Sequence, residues 1–367
     1  ISYYISSTDE AYYYYLKYVY KDTQGWHSET VDTAGYIGHG HNSIAVDISG
    51  NPYISYVGYE VSLNDHLKFA ERDVNGWQVE VVDSDLEGYI GINNSLAVDT
   101  NGNPHIGYYD STFHNLKYAF RDAAGWQIEI VEDAGDVGEG PSIALDNDRN
   151  PHLSYSDFTD DLLRYTYKDT QGWHFQTVDN AANILTSTSL ALEVDGQPHI
   201  SYLVYPEYDL KYAAYENDEW QITTVDRAGE ISGLHSFALD VDGQPHFSYS
   251  DTSNALLYTY LEAAHWYTET VDGAGVTGQH SLAVDENGMP HISYYDVGNS
   301  DLMYAYKSPT GWNLQTVDSE GDVGYYSSIT LDLDGYPHIS YTDCYEYCAE
   351  SSIRSEALKY AYQDDLG

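Results

Sequence analysis

Residues 95–135 have the sequence SLAVDTNGNPHIGYYDSTFHNLKYAFRDAAGWQIEIVEDAG, and residues 281–321 repeat it as SLAVDENGMPHISYYDVGNSDLMYAYKSPTGWNLQTVDSEG. The Trp of this unit recurs 46 to 51 residues apart, at Trp26, Trp77, Trp126, Trp173, Trp220, Trp266 and Trp312, and these are all the Trp residues of the chain. A fixed period of this length is typical of folds built from repeated supersecondary units. The chain is therefore expected to consist of copies of one structural unit.

Each unit contains four short apolar runs separated by turn signals. In residues 95–135 the runs are SLAVD, PHIGYYD, LKYAFRD and GWQIEIVED, whose Val, Ile, Tyr and Trp favour strands. Four antiparallel strands per unit, called A, B, C and D in chain order, are typical of a propeller blade. The sequence predicts an all-β chain in which residues 1–367 form a single β-propeller with four-stranded blades of about 48 residues.

The number of blades depends on how the chain ends combine. The sequence contains eight B strands and eight C strands but seven A strands and seven D strands. Seven blades are favoured, with eight as the alternative, because the last A, B and C strands at 327–362 and the first D strand at 26–32 complement each other. The hairpin at 1–20 is then a surplus strand pair, expected to cap the rim or to join another copy of the chain.

The charge balance excludes some classes of partner. The chain has 14 basic and 59 acidic residues, a net charge of −45, so nucleic acids and anionic membranes would be repelled. The 40 Tyr, 7 Phe and 7 Trp residues nevertheless indicate a folded chain rather than a disordered one. No apolar run is long enough to span a membrane. The chain begins at Ile1 without Met or a signal peptide, and a processed or partial chain is expected.

The repeated words SLAVD, PHIGYYD, LKYAF and GW resemble the tandem repeats of secreted and surface-attached prokaryotic β-propellers. Those repeats are loosely related to the Asp-box, or bacterial neuraminidase repeat, families. The Asp-box pattern S-x-D-x-G-x-T-W matches the C–D turn YKDTQGW only at Asp22, Gly25 and Trp26, because Ser is absent and the spacing differs. The resemblance implies a propeller and an extracellular location, but it does not imply sialidase activity.

The C–D turns combine an acidic residue with Gly-Trp. A short carboxylate accepts backbone N–H groups across its own turn, Gly supplies a positive φ, and the Trp is expected to pack on the next blade. A ligand site at each turn is the alternative interpretation. The structural turn residues are Asp22, Gly25, Trp26, Asp73, Gly76, Trp77, Asp122, Gly125, Trp126, Asp169, Gly172 and Trp173.

The A–B turns place carboxylates one residue apart, as at Asp240 and Asp242 and again at Asp332 and Asp334. Such pairs are found in calcium loops, but the other ligands of an EF-hand are missing here. A hairpin turn with Gly in the left-handed region and Pro opening the next strand is the structural alternative. Calcium is thus the one candidate cofactor, with these four Asp residues as its candidate ligands.

A His follows the Pro of the B strand in six units. Equivalent residues of a propeller are too far apart to share one metal ion, so each His is expected to form a hydrogen bond with the neighbouring blade instead. Tyr53 takes this position in the first complete unit. The six residues are His105, His152, His199, His246, His291 and His338.

The basic residues are concentrated in the C strands, which hold 11 of the 14. Glu29, Glu80, Glu129 and Glu269 lie in the D strands, and we expect cross-strand ion pairs between the two. This arrangement leaves no three arginines to converge on a carboxylate, as a sialidase would require. No catalytic constellation departs from the repeat, and the chain is therefore predicted not to be an enzyme.

The loops between B and C strands are where the units differ most, and loops on a rigid scaffold often carry function. Tyr12, Tyr13, Tyr14 and Tyr15 in the first loop, with Tyr345 and Tyr347 in the last, are the candidate binding residues for sugars or for a protein partner. The sequence favours a non-catalytic extracellular structural or adhesive module that self-associates head to tail into a filament or surface array. A multivalent glycan-binding lectin that rejects sialic acids is the alternative.

The two cysteines of the chain, Cys344 and Cys348, lie in the loop DCYEYCAE. No other Cys and no nearby His is available to complete a metal site, so a disulfide is favoured over a half metal site or two idle thiols. A disulfide in turn favours an oxidising location outside the cell or at its surface.

Overall fold

A computed structural model describes residues 2–6, 14–22, 25–32, 36–47, 49–59, 65–84, 89–180, 183–206, 208–226, 231–273, 277–319, 322–331, 337–345 and 355–362. Every regular element in these ranges is a β-strand. The same ranges contain no helix long and apolar enough to cross a membrane. By their internal contacts the residues fall into two compact units, residues 1–206 with 211–223 and residues 207–210 with 224–367. A single domain over residues 1–367 stays a prediction.

The strands form consecutive sheets, which are called blades 1 to 8 in chain order. The first four are blade 1 with β1 (Ser2–Ser6), β2 (Tyr14–Asp22) and β3 (Gly25–Asp32); blade 2 with β4 (Tyr36–Val46), β5 (Pro52–Tyr59), β6 (Asp65–Asp73) and β7 (Gly76–Ser84); blade 3 with β8 (Ile90–Val98), β9 (Pro104–Asp110), β10 (Asn115–Asp122) and β11 (Gly125–Glu132); and blade 4 with β12 (Val137–Leu145), β13 (Pro151–Asp157), β14 (Leu162–Asp169) and β15 (Gly172–Asp179).

The remaining strands continue the same pattern. They are blade 5 with β16 (Asn183–Leu192), β17 (Pro198–Tyr205), β18 (Asp209–Glu216) and β19 (Glu219–Asp226); blade 6 with β20 (Ile231–Leu239), β21 (Pro245–Asp251), β22 (Leu256–Glu262) and β23 (His265–Asp272); blade 7 with β24 (Thr277–Val284), β25 (Pro290–Asp296), β26 (Asp301–Ser308) and β27 (Gly311–Asp318); and blade 8 with β28 (Asp322–Leu331), β29 (Pro337–Tyr345) and β30 (Ser355–Tyr362).

Six of these sheets have four strands in the order A-B-C-D, each strand hydrogen-bonded to its neighbours in the sequence. The predicted all-β propeller of four-stranded blades is therefore confirmed. One expected pairing is different, because the first D strand, β3, pairs with β2 in blade 1, and β28, β29 and β30 form a sheet of three. The described strands make eight sheets.

The B strand is the most deeply buried strand of a blade. All seven residues of β9 and of β13 are buried, which explains why PHIGYYD and PHLSYSD carry apolar residues at successive positions. The cores lie between blades, as where Leu116 and Tyr118 of blade 3 meet Ile143 and Leu153 of blade 4. Each such side chain stabilises the fold by about 1.5–3 kcal/mol when fully buried.

The C–D ladder contains a β-bulge at the same place in blades 1, 2, 3, 4, 6 and 7. In blade 3 Leu116 pairs with Glu132 and Lys117 with Ile130, so Val131 is the extra residue of the D strand. A bulge bends its strand and redirects the side chains beyond it. The acidic residue that ends the D strand lies beyond the bulge and contacts the following blade, as Asp83 and Glu132 do.

Candidate functional site

Several predicted site residues lie outside what can be described. Tyr12, Tyr13, Tyr347, Cys348, Asp332 and Asp334 fall outside the described residues. Tyr14 and Tyr15 belong to β2, and Cys344 and Tyr345 belong to β29, but their side chains are outside the described part of the structure. The disulfide and the terminal aromatic site therefore stay predictions.

The A–B turn of blade 6 contains the predicted calcium ligands Asp240 and Asp242. Oδ1 of Asp240 accepts the backbone N–H groups of Asp242 at 2.9 Å and Gln244 at 2.8 Å, so this carboxylate closes its own turn. Asp242 is exposed. Among the described side chains, no group of three or more His, Cys, Asp or Glu is placed to hold a metal ion. Calcium at these turns stays a prediction.

The C–D turns have the geometry of tight hairpins. In three of these turns, Oδ1 of the Asp accepts the backbone N–H of the residue two positions later in the chain. The distances are 2.7 Å at Asp73, 2.7 Å at Asp122 and 2.6 Å at Asp169. The following glycines have positive φ, at +106° in Gly76, +107° in Gly125 and +119° in Gly172. Asp22 pairs with Gly25 in the same register, and Trp26 follows in β3. Each described Asp satisfies donors of its own turn.

In blades 3, 4, 5 and 7 the Trp after the turn contacts the preceding blade rather than the next one. Trp126 packs edge-on against Phe69 with ring centroids 5.1 Å apart, and Trp173 packs in the same way on Tyr118 at 5.3 Å. The indole N–H of Trp173 donates to Glu129 at 2.9 Å. Trp77 packs against the core that Val31 of blade 1 forms with Ile54 of blade 2. The direction predicted from sequence was wrong, but the Trp does join neighbouring blades.

The B-strand His forms hydrogen bonds inside its own blade, so the predicted bond to the neighbouring blade is wrong. In blade 6, Nδ1 of His246 lies 2.5 Å from the hydroxyl of Tyr258, and Nε2 lies 3.4 Å from Oδ2 of Asp240. The Tyr hydroxyl can donate to Nδ1 while Nε2–H faces the carboxylate. The same His–Tyr pair occurs at His105–Tyr118, His152–Tyr165, His199–Tyr212 and His291–Tyr304.

Burial keeps these imidazoles neutral. It lowers the pKa of His105 to about 4, although the charge of Asp99 opposes the shift. Burial also lowers the pKa of His152, His199 and His246, again against a nearby carboxylate. A neutral imidazole has one donor and one acceptor, which matches its two partners in the blade. The network is a closed polar core of the blade rather than a metal site.

Blade 2 carries the one natural variant of this network in the described blades. Tyr53 replaces the His, and Phe69 replaces the partner Tyr. The hydroxyl of Tyr53 then donates directly to Oδ2 of Asp47 at 3.3 Å. Both members of the pair change together, because a Tyr hydroxyl at position 69 would have no imidazole nitrogen to bond.

A second network joins each of blades 2 to 7 to the blade before it, and sequence reasoning missed it. In blade 5, the Tyr202 hydroxyl and the Lys211 ammonium donate to Oδ2 of Asp179, at 2.7 and 2.8 Å. Asp179 ends the D strand of blade 4. The equivalent groups are Asp32 with Tyr56 and Lys68, Asp83 with Tyr108 and Lys117, Glu132 with Tyr155 and Arg164, Asp226 with Tyr249, and Asp272 with Tyr294.

The outer C-strand cations also pair with the preceding blade, which corrects the expected cross-strand pairs. Arg121 binds Glu71 through two guanidinium nitrogens, at 2.8 and 2.5 Å, and lies 3.6 Å from Glu80. Lys307 lies 2.6 Å from Glu269 of blade 6. The cations of the described C strands thus stabilise blade junctions.

A different kind of cluster lies where the loops of blades 3 and 4 meet. Tyr109, at the end of β9, donates its hydroxyl hydrogen to Oδ1 of Asp136 at 2.5 Å. Nδ1 of His114 lies 2.8 Å from the same hydroxyl and 3.3 Å from the same carboxylate oxygen. Glu139 lies three residues beyond Asp136 in β12. These four side chains, Tyr109, His114, Asp136 and Glu139, are called the loop cluster.

The surroundings of the loop cluster raise the pKa of two of its groups. Burial and the hydrogen bond to Asp136 raise the pKa of Tyr109 far above its ordinary value, so the phenol stays protonated. Burial and the charge of Asp136 raise the pKa of Glu139. His114 has a positive φ, 55°, and so do Asp161, Tyr208, Asn254 and Ser300 at the same loop position of blades 4 to 7, so this conformation belongs to the repeated turn.

No family model matches the chain, and no curated protein matches it. Among solved structures it is similar to AofleA from Arthrobotrys oligospora, with 13% identity, 73% of this chain and 85% of that chain covered, and a TM-score of 0.44. The SapL1 lectin in complex with alpha methyl fucoside has 11% identity, 75% and 95% coverage and a TM-score of 0.45. The Hadza microbial sialidase Hz136 has 13% identity, 69% and 62% coverage and a TM-score of 0.45.

Proposed function

We propose that this chain is a non-catalytic extracellular binding module of adhesive or structural type. The observation that carries the proposal is that the repeated basic side chains are bound to carboxylates of the protein itself. Lys68, Lys117, Arg121, Arg164, Lys168, Lys211 and Lys307 each bind a carboxylate of another strand. Charged groups that an enzyme would direct at a substrate are used here to hold blades together.

The buried titratable groups support the same function. Burial raises the pKa of the core tyrosines Tyr118, Tyr165 and Tyr258 and lowers that of their His partners, so both stay neutral and bonded to each other. A general acid or base requires a pKa near the working pH and access to substrate. These pairs have neither.

Glycan binding is the specific activity that the loop cluster favours for this module. Its polar groups lie at the ends of β9 and β12 and in the loops beside them, and His114 is exposed; loops held by a rigid sheet are where binding residues are commonly found. The extracellular location and the kinship with secreted Asp-box-related propellers are part of the same proposal and rest on the sequence repeats and the cysteine pair. Head-to-tail self-association through residues 1–20 stays a prediction, which light scattering of the chain with and without these residues would check.

The proposal is tested by turnover and binding measured on one preparation. We expect no hydrolysis of a panel of chromogenic glycosides, sialosides included, above the buffer rate, together with saturable retention on immobilised glycans. Turnover that rises in proportion to protein concentration and persists through repurification would contradict the non-catalytic assignment.

A further inference from the structure

The loop cluster offers hydrogen-bond acceptors and few donors. Tyr109 has one hydroxyl hydrogen, and it is used on Asp136 at 2.5 Å. His114 therefore bonds the Tyr109 oxygen through a hydrogen on Nδ1. The second oxygen of Asp136 and the carboxylate of Glu139, whose Oε1 accepts from Nδ2 of Asn93 at 3.5 Å, supply the acceptors of the cluster. A ligand that matches this set brings several hydroxyl hydrogens.

Two large aromatic side chains are exposed, one on the B–C loop that holds His114 and one on the loop hydrogen-bonded to it. Phe113, the neighbour of His114 in the chain, is 62% exposed, and Tyr89 is 55% exposed. Their loops are joined, because the backbone N–H of Tyr89 donates to Oγ1 of Thr112 at 3.0 Å. Exposed aromatic surface next to a few convergent polar groups is typical of small-molecule sites.

The loops that carry the cluster are held in place. The backbone N–H of Val137 donates to the carbonyl of His114 at 3.2 Å and so ties blade 4 to blade 3. Gly138, at φ +102°, is packed so closely that a Cβ atom there would lie 2.6 Å from Leu116. The N–H of Asp136 donates to Thr159 at 2.6 Å. Preorganised loops lower the entropic cost of binding.

We propose that the loop cluster, together with Phe113 and Tyr89, binds an uncharged saccharide by accepting its hydroxyl hydrogens and packing against its apolar face. The inference rests on the proposed function of the chain as a binding module and names the ligand class of that module. Anionic sugars are disfavoured, because Asp136 and Glu139 face the ligand and the whole chain carries a net charge of −45.

Blade 7 provides an internal comparison for this site. It conserves the B-strand tyrosine as Tyr295, but Asn299 and Ser300 stand where blade 3 has Phe113 and His114. Ser300 has a φ of 61°, close to the 55° of His114, so the loop backbone accommodates either residue. Copying the blade 7 residues into blade 3 therefore removes the aromatic side chain and the imidazole without disturbing the fold.

The test compares wild-type protein with Phe113→Asn/His114→Ser and with a control, Asn299→Ala, on an array of neutral, amino, sulfated and sialylated glycans, followed by calorimetry on the best neutral glycan. We expect wild type and control to bind neutral glycans with equal affinity, and the double variant to bind at least about tenfold more weakly with an unchanged melting temperature.

The outcomes distinguish a failure of the proposed saccharide site from a failure of the proposed function of the whole chain. Neutral-glycan affinity within twofold of wild type in the double variant overturns the site and leaves the binding module intact. A wild-type protein that retains only charged glycans overturns the ligand class. A wild-type protein that hydrolyses the glycans it meets overturns the proposed function itself.

Discussion

At the junction between blades 4 and 5 and at the junction between blades 6 and 7, the carboxylate that ends a D strand is bound by different side chains of the following blade. In the first, Asp179 accepts from Tyr202 and from Lys211. In the second, Asp272 accepts from Tyr294 at 2.9 Å, and Met303 stands where the first has the lysine. The acid and the tyrosine are constant, whereas the cation is not.

Burial of the acid accounts for the difference. The side chain of Asp179 is 6% exposed, but Asp272 is only half-buried. A carboxylate removed from water requires an opposite charge and full hydrogen bonding, while one that keeps part of its hydration does not require a cation. The comparison indicates that the tyrosine hydroxyl is the common requirement and that the lysine accompanies the deeper burial.

The largest expected effect comes from removing the acid at each junction. Asp179→Ala leaves the Lys211 ammonium buried without its carboxylate, and we expect a loss of about 3–5 kcal/mol in the free energy of unfolding. Asp272→Ala removes a hydrogen-bond acceptor beside Met303, and a loss of about 1–2 kcal/mol is expected. Urea unfolding followed by Trp fluorescence measures both.

Asp179→Asn serves as the control for the first variant, because the amide still accepts from Tyr202 but carries no charge. Its cost should fall between the two alanine variants. Equal losses for Asp179→Ala and Asp272→Ala would show that the lysine contributes nothing to the junction.

The sequence predicts the blade much better than it predicts the contacts between blades. The Trp period, the Gly at the C–D turn and the strand-forming runs are local signals, and each is found where expected. The ion pairs were assigned to the wrong partner because of strand alternation. In blade 3 Glu129 lies opposite Tyr118 and not opposite Lys117, so the acid and the base project from opposite faces of the sheet. A correct register would have revealed this.

The loop cluster was beyond sequence reasoning for another reason. Tyr109 and His114 belong to one blade, and Asp136 and Glu139 belong to the next. No periodic pattern connects a B–C loop with the D–A loop of the following unit. The sequence signal was that Phe113 and His114 have no equivalents at the aligned positions of the other units, but the terminal loops depart further from the repeat and the candidate binding residues were predicted there.

The His–Tyr pair gives a smaller effect and extends the comparison to blade 2. Burial holds the folded pKa of His105 at about 4, below the 6.5 of an ordinary histidine. Its contribution to stability is fully present above pH 6.5 and is lost as the pH falls toward 4, by up to about 3 kcal/mol. His105→Tyr/Tyr118→Phe copies Tyr53 and Phe69 of blade 2.

Between pH 7 and pH 4 the free energy of unfolding should fall in both proteins. We expect the fall to be about 2–3 kcal/mol smaller in this double variant than in wild type, as measured by urea unfolding at both pH values. His105→Tyr alone is the control, because it leaves the Tyr118 hydroxyl buried without its imidazole and should cost about 1–3 kcal/mol at every pH. An acid sensitivity equal to that of wild type would exclude His105 as a source of the pH dependence.

The smallest change in the free energy of unfolding is expected at the D-strand position of Glu129, called the rim. Another blade has a different residue at this position, which suggests the substitution to make. Glu129 lies 2.7 Å from the Lys168 ammonium and accepts the Trp173 indole N–H at 2.9 Å. One blade further on, Gln176 takes the place of the acid and still accepts the indole N–H of Trp220, at 2.7 Å.

Glu129→Gln should therefore keep the indole hydrogen bond and lose only the ion pair. Both charged side chains are about 30% exposed, so the pair is partly screened by solvent. We expect a loss below about 1 kcal/mol at low salt, and the loss should shrink as sodium chloride is raised to 1 M. Glu129→Ala is the matched variant, because it removes the indole acceptor as well and should cost more at both salt concentrations. A loss for Glu129→Gln that exceeds that of Asp272→Ala, or one that salt does not reduce, would mean that the rim pair behaves like the buried junction of Asp179, and the distinction between buried and rim junctions would fail.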